Sequence, residues 1–168
     1  MTVKPPDKKH PENELVFAYG SNMDMLQMKK RCRSSKLEPF VARLEGWKLC
    51  FPRRSEKRNG GVGSIVRDRK EVVWGLVFRI TPKDLESLDG YEGVSAGAYR
   101  RERLGVTARN GKKCAAWTYL AVPQETPPNN YAPSKEYLAL FIRGARYFKL
   151  PSAYIQELKR IETARRNR

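Results

Sequence analysis

The stretch from residue 71 to residue 79 constrains the fold more than any other part of the chain. Its apolar side chains occupy both alternating positions of a strand, with Trp74 and Leu76 on one side and Val73 and Val77 on the other. A strand that is apolar on both faces belongs at the centre of a sheet. Other apolar runs predict five more strands, at residues 15–18, 41–50, 62–67, 103–108 and 113–121.

Helices are predicted after the central strand and near the end of the chain. Thr81 and Pro82 begin a helix over residues 82–88, because proline is tolerated at the first helical position and Asp84 completes a capping pattern with Thr81. A further helix is predicted over residues 153–163. Between them, a helix begins after Pro133-Ser134 and places four side chains on one face, those of Tyr137, Phe141, Ala145 and Phe148. Strands in the middle and helices at the edges indicate an α+β fold.

Length and composition allow one compact domain. The 168 residues suffice to bury a core without disulfide or metal staples, and a hydrophobic fraction of 40% is ordinary. We predict a flexible polar arm at residues 1–14, one domain at residues 15–163 and a basic tail at residues 164–168. No stretch approaches the roughly 20 apolar residues that span a bilayer. The arm lacks the apolar core of a secretory signal, so the expected location is the cytoplasm.

A strand that enters a small polar turn and then a helix makes a candidate anion site near the start of the chain. The strand at residues 15–18 leads to Gly20, Ser21 and Asn22. Glycine permits backbone geometry that is closed to other residues, and Ser21 is expected to cap the following helix in a capping box with Asp24. The free N–H groups of the turn would face a carboxylate or phosphate. A plain strand-to-helix turn is the alternative interpretation.

A single carboxylate lies among glycines later in the chain, at Glu92. The segment is too rich in glycine for a regular helix, so we predict that Glu92 lies in a loop after the helix at residues 82–88. Tyr91 and Val94 make its surroundings partly apolar. Burial of this kind raises the pKa of a carboxyl toward the range that is useful for accepting and returning protons. A solvated loop residue is the alternative, and it is the commoner fate of a lone glutamate.

Other catalytic devices lack the residues that they need. The sole histidine, His10, lies in the polar first segment, which argues against a Ser-His-Asp or Cys-His arrangement. Cys32, Cys50 and Cys114 are too far apart for the paired spacings of a zinc site, so we expect reduced structural cysteines and no metal. The Gly-Gly-Val-Gly run at residues 60–63 lacks the remaining residues of a phosphate-binding motif, so a turn into a strand is favoured.

Short motifs follow one another along most of the chain. They are Phe-Ala-Tyr-Gly-Ser-Asn at residues 17–22, Val-Ala-Arg-Leu at 41–44, Gly-Gly-Val at 60–62, Val-Trp-Gly-Leu-Val at 73–77, Leu-Asp at 88–89, Glu-Gly-Val at 92–94, Gly-Ala-Tyr at 97–99, Pro-Ser at 133–134 with Tyr137, Gly-Ala at 144–145 and Leu-Pro at 150–151. In order and spacing, this set resembles the gamma-glutamylcyclotransferase family, in the AIG2-like fold group. It is more similar to the members that act on free gamma-glutamyl amino acids than to those that act on glutathione or gamma-glutamyl-lysine.

The resemblance implies a fold and a reaction. The fold is a small mixed β-barrel flanked by helices, the reaction uses no cofactor, and dimers occur in the family, so a homodimer is a further expectation. The substrate's own α-amine attacks its γ-carbonyl, which forms 5-oxoproline and releases an amino acid or amine. Glu92 matches the catalytic carboxylate, and general acid–base help of this kind contributes about 10²- to 10⁴-fold. The substrate-binding residues implied by the same match are Tyr19, Gly20, Ser21, Asn22, Tyr99 and Tyr137. Tyr99 and Tyr137 are equally consistent with core tyrosines.

The net charge of +16 is not explained by the resemblance. A surface this basic attracts nucleic acid, anionic lipid or an acidic protein, and it also steers an anionic γ-glutamyl substrate. A solvated basic surface is the plainer interpretation, and the stacking aromatics of a nucleic-acid reader are not evident. One alternative function therefore stays open: a catalytically idle protein of the same fold that binds an anionic ligand or nucleic acid.

The leaving group has two candidate contacts. Residues 123–133, with four prolines, form the clearest loop and are either a lid over the pocket or a disordered surface connection. Arg53, Arg54 and Arg58 would favour an acidic leaving group. Whether an amino acid, an amine or a protein is released stays open.

Overall fold

The computed structural model describes residues 12–165. In this range five strands close into a barrel in the order β1, β3, β2, β4, β5, with β1 parallel to β5 and the other pairs antiparallel. The elements in chain order are β1 (Glu14–Ala18), a 3-10 turn (Ser21–Met23), α1 (Met25–Arg31), β2 (Phe40–Ser55), β3 (Gly60–Ile80), α2 (Pro82–Glu92), β4 (Tyr99–Ala108), β5 (Lys113–Ala121), α3 (Lys135–Tyr147) and α4 (Ser152–Lys159). The prediction of an α+β fold with a small mixed barrel flanked by helices is confirmed.

The strand predicted to be central pairs on both edges, with β1 and with β2. The prediction of two separate strands at residues 62–67 and 71–79 was wrong, because Gly60–Ile80 is one continuous strand. Residues 68–71 are polar and lie opposite the single residue Gly46 of β2, where the register shifts. A polar bulge of this kind looks like a turn in the sequence.

The helices begin close to their predicted positions, but two of them end elsewhere. Thr81 caps α2 as expected, since its hydroxyl accepts a backbone N–H of the first turn at 3.2 Å. α2 then continues to Glu92, beyond its predicted end. α3 begins after Ser134, whose hydroxyl caps it, and α4 ends at Lys159, earlier than predicted.

Two clusters of buried apolar side chains form the core. One contains strand residues and Tyr19, as expected of a barrel interior. The other joins the strands to α1, α2, α3 and α4 and includes the fully buried Phe141. The ring of Phe141 lies so close to two backbone segments that a Cβ added at Gly20 or Gly63 would be 3.2 or 3.0 Å from it. α3 therefore supports the turn after β1 and the start of β3.

Much of the predicted terminal arm, residues 1–11 with His10, lies outside the described residues, as do residues 166–168 of the tail. Ala164, the first residue of the predicted tail, donates its N–H to the carbonyl of Pro133 at 2.8 Å. The division into arm, domain and tail stays a prediction. Within residues 12–165, every helix is too short or too polar to cross a bilayer.

Candidate active site

One narrow pocket brings together the seven residues predicted for the site. It lies where β1 and β5 end, beside the end of α2 and the start of β4. It is lined by those seven residues, which are Tyr19, Gly20, Ser21, Asn22, Glu92, Tyr99 and Tyr137, together with Phe17, Ala18, Gly63 and Tyr119. Its volume is about 40 Å³.

The residues after β1 form a 3-10 turn, and the cap of α1 differs from the prediction. Asp24, and not Ser21, caps α1, because the Asp24 carboxylate accepts a backbone N–H of the first helical turn at 3.1 Å. The first hydrogen bond of the 3-10 turn runs from the N–H of Met23 to the carbonyl of Gly20 at 3.0 Å. The N–H groups of residues 20–22 precede that bond, and such groups have no partner within their own turn.

Glu92 is the last residue of α2, and the prediction that it lies in a loop was wrong. Gly90 is helical, and Gly93 ends the helix at φ +65°, in the left-handed region that favours glycine. Oε1 of Glu92 accepts a hydrogen bond from Nδ2 of Asn22 at 3.0 Å. The turn after β1 and the end of α2, 70 residues apart in sequence, therefore meet at this bond.

Burial raises the pKa of the Glu92 carboxyl above its ordinary value, and only 14% of the side chain is exposed. Two neighbours act in the opposite direction: the Arg31 guanidinium, 3.4 Å from the carboxylate, and the hydrogen bond from Asn22. Arg31 is itself largely desolvated, and burial lowers its own pKa. A carboxyl whose pKa is raised by burial and lowered by a neighbouring cation and a hydrogen bond is suited to proton transfer.

The three predicted tyrosines line the pocket and brace its walls. The Tyr99 hydroxyl donates to the carbonyl of Gly63 at 2.8 Å, and the Tyr137 hydroxyl accepts the N–H of Gly63 at 3.0 Å. The Tyr19 hydroxyl donates to the backbone carbonyl of Tyr119. Burial raises the pKa of all three hydroxyls, that of Tyr137 to about 12. All three are therefore neutral near pH 7.

Two side chains of α1 contact the site although the sequence did not predict them. Nε2 of Gln27 donates to the hydroxyl of Ser21 and to Oδ1 of Asn22, both at 2.9 Å. Arg31, one turn later, donates to the same Asn22 oxygen at 3.0 Å. Their i, i+4 spacing places both on one helix face, and this spacing is the signal that could have found them. Arg58, expected near the leaving group, donates to Oε1 of Gln27 at 2.8 Å.

α2 is tied to the barrel one turn before Glu92. The Asp89 carboxylate accepts the hydroxyl proton of Tyr119 at 2.6 Å and lies 3.0 Å from Nε of Arg101. These partners belong to β5 and β4, and bonds to an ionised group are stronger than neutral ones. They hold Glu92 in place relative to the barrel.

Gly63 lines the pocket, whereas the glycine pair at residues 60–61 does not. The pair is needed where the loop before α3 crosses β3, since a Cβ at Gly61 would lie 2.1 Å from the carbonyl oxygen of Tyr131. The N–H of Tyr131 also donates to the carbonyl of Phe51 at 2.8 Å. The end of the Pro-rich segment is therefore packed on the barrel, and its role as a lid stays a prediction.

The described residues offer no cluster of three or more His, Cys, Asp or Glu side chains that could hold a metal. Cys32, Cys50 and Cys114 are free thiols. Burial raises the pKa of Cys32 to about 12 and that of Cys50 to about 11, so these two thiols are protonated and unreactive near pH 7.

Several known proteins are similar to this chain over most of its length. The AIG2-like family profile matches residues 72–158. Gamma-glutamylcyclotransferase of Mus musculus is 36% identical over 155 residues, and that of Homo sapiens is 35% identical over 156; each alignment covers 90% of this chain and 80% of the relative. A solved structure named gamma-glutamyl cyclotransferase is 31% identical with a TM-score of 0.85, over 93% of this chain and 92% of that chain. The chain therefore belongs to the gamma-glutamylcyclotransferase family, within the AIG2-like group.

Proposed function

We propose that this protein converts γ-glutamyl amino acids or γ-glutamyl amines to 5-oxoproline and the free amino acid or amine. The observation that carries the proposal is the largely buried Glu92 carboxyl, which lies between Asn22 and Arg31 in the pocket that the turn after β1 helps to line. The names of the mouse and human relatives support the same reaction.

The reaction needs no protein nucleophile. The α-amine of the substrate attacks its own γ-carbonyl carbon, a new C–N bond closes the five-membered ring, and the old C–N bond to the leaving nitrogen breaks. Glu92 accepts the proton that the attacking amine loses and gives a proton to the leaving nitrogen, so the carboxyl returns to its starting state. Because an intramolecular attack already has a high effective molarity, the enzyme has to fold the γ-glutamyl arm and move this proton.

The turn after β1 is the proposed holder of the substrate. The N–H groups of residues 20–22 would bind the substrate carboxylate and stabilise the charge that develops on the attacked carbonyl oxygen. Tyr19, bonded to the backbone of β5, would keep the start of this turn in place. Tyr99 and Tyr137, which are bonded to the same glycine of β3, would position the γ-glutamyl arm from the facing wall.

Release of 5-oxoproline tests the proposal. The purified protein is offered γ-glutamyl amino acids, γ-glutamyl amines and glutathione, and Glu92→Gln is offered the same panel. We expect wild type to turn over at least one class and the variant to lose about 10²-fold or more in kcat, because the amide keeps the shape of the side chain but cannot transfer the proton. Glu86→Gln is the matched control, since Glu86 is exposed on the same helix and should keep the wild-type kcat.

Two outcomes would count against the proposal. If wild type releases no 5-oxoproline from any member of the panel, the reaction is excluded, and a catalytically idle protein that binds an anion through its basic faces takes its place. If Glu92→Gln and wild type turn over equally, the reaction stands but Glu92 has no part in it.

The homodimer, the cytoplasmic location and a contact with nucleic acid or an acidic protein stay predictions. Sedimentation of the purified chain distinguishes a monomer from a dimer. Retention of the chain on nucleic acid that persists at raised salt would support a specific contact over simple charge attraction.

A further inference from the structure

A second cavity lies at the other end of the barrel. It is bordered by the starts of β1, β2 and β5 and by the ends of β3 and β4, whereas the Glu92 pocket lies at the ends of β1 and β5 and the start of β4. Its volume is about 540 Å³, which is within the range of small-molecule sites. The reaction proposed above does not use it.

This cavity combines apolar walls with a cationic lining. Leu15, Phe40 and Val41 supply the apolar part, and Phe40 is 39% exposed although it is a large apolar residue. Four cationic residues also line the cavity, namely Arg79, Arg109, Lys112 and Lys113. The ten described residues that line the cavity include no aspartate or glutamate.

Three of the cations belong to the β4–β5 hairpin, whose turn is held by its own hydrogen bonds. The N–H of Ala108 donates to the carbonyl of Lys112 at 2.9 Å, and the N–H of Lys112 donates to Oδ1 of Asn110 at 3.0 Å. The Arg109 guanidinium donates to the carbonyl of Lys149. The cationic groups are therefore presented by a defined turn and not by a long loop.

Like charges around one cavity repel one another, and a bound anion relieves that repulsion. Glu45 interacts electrostatically with Lys113, but its carboxylate is already paired with Arg43 at 2.8 Å. We propose that the cavity binds a small amphipathic anion, in which a carboxylate, sulfonate or phosphate lies among the cations and an apolar body lies on Leu15, Phe40 and Val41. Such a site would also give part of the net charge of +16 a function that the Glu92 pocket does not require.

Anilinonaphthalene sulfonate, a fluorescent aromatic sulfonate, is the probe for this site. We expect saturable binding from which decanoate displaces the probe at least about 10-fold better than decanol, which lacks the charge, or sulfate, which lacks the apolar body. Equal displacement by decanoate and decanol would overturn the proposal. So would binding of the protein to phosphatidylserine vesicles in the absence of any displacement by decanoate, because that result indicates a membrane-surface contact.

Paired charge variants locate the site. Arg109→Gln with Lys113→Gln removes two of the cations and should weaken probe binding by about 10-fold or more while 5-oxoproline release continues. Arg69→Gln with Lys70→Gln is the matched control, since both residues are exposed and outside the cavity, and it should bind as wild type does. Equal weakening in both pairs would mean that net charge alone attracts the probe, and the proposal would fail.

Two further variants keep the test independent of folding and of the Glu92 pocket. If the double variant does not fold, Phe40→Asn instead removes one large side chain of the apolar wall. It should weaken displacement of the probe by decanoate and leave displacement by sulfate unchanged. Glu92→Gln should bind the probe as tightly as wild type. A change in probe affinity in Glu92→Gln, in either direction, would assign the probe to the γ-glutamyl pocket and overturn the proposal.

Discussion

The contact between α3 and the turn after β1 leaves no room for a side chain at Gly144. A Cβ added there would lie 2.4 Å from the carbonyl oxygen of Met23, whereas ordinary contact begins at 3.4 Å. In Gly144→Ala the two segments must separate by about 1 Å, because backbone and not a flexible side chain is in the way. We expect a loss of about 1–3 kcal/mol in the free energy of unfolding, less a gain of up to about 1 kcal/mol from the helix propensity of alanine.

The same shift reaches the site through Asn22, which precedes Met23 and donates to Glu92. Because a misplacement of about 1 Å that originates far from the chemistry can cost about 10²-fold in rate, we expect kcat to fall by about 10- to 100-fold. This loss is expected although Gly144 does not line the pocket. Urea unfolding measures the loss of stability, and 5-oxoproline release measures the loss of kcat.

Gly90→Ala is the matched control for stability. Gly90 lies within α2 outside the left-handed region, and an added Cβ meets no atom within 4 Å. Alanine there should raise the free energy of unfolding by about 0.5–1 kcal/mol. The reasoning is refuted if Gly144→Ala gains stability in the same way, or if it keeps the wild-type kcat.

Two further predictions concern the charge of Glu92. In Arg31→Gln the pKa of Glu92 should rise further, because Arg31 favours the ionised carboxylate, so the acidic limb of the pH–rate profile should move to higher pH; an unmoved limb would contradict Glu92 as the base. In Glu92→Gln the free energy of unfolding should exceed that of wild type at neutral pH. A folded-state pKa above the unfolded value means that Glu92 contributes stability below its unfolded pKa and loses it as pH rises through the folded pKa. The difference in urea unfolding between variant and wild type should therefore grow from acid to neutral pH, and a constant difference would argue against the raised pKa.

Strands could be predicted where their signals are local. β5 was predicted at residues 113–121, which are its observed bounds, because apolar residues there are flanked by a polar turn on one side and prolines on the other. β3 was divided because residues 68–70 are polar, and alternation alone cannot distinguish a bulge from a turn. The distinction depends on Gly46 in the partner strand, which only the pairing reveals.

That seven separated residues share one pocket follows from the motifs, but their hydrogen-bond partners could not be predicted. Glu92 was placed in a loop because glycine disfavours helix, yet α2 passes through Gly90 and ends only at Gly93. The contact between Asn22 and Glu92 depends on how α2 packs against the turn, and no local pattern encodes it. The contribution of Arg31 follows from the same packing.

A carboxylate at the end of α2 is electrically unfavourable. The last turn of α2 consists of Asp89, Gly90, Tyr91 and Glu92, so two acidic residues lie at the negative end of the helix dipole, where a cation would stabilise the helix by about 0.3–1 kcal/mol. Burial also disfavours the ionised form of Glu92. Arg31 of α1, which lies beside the carboxylate, offsets part of the effect of the dipole and part of the effect of burial. A side chain selected for stability at this position would be basic or neutral. A carboxyl that lies there, and is restrained by Asn22, has the properties of a functional group, and activity and stability should therefore oppose one another at position 92.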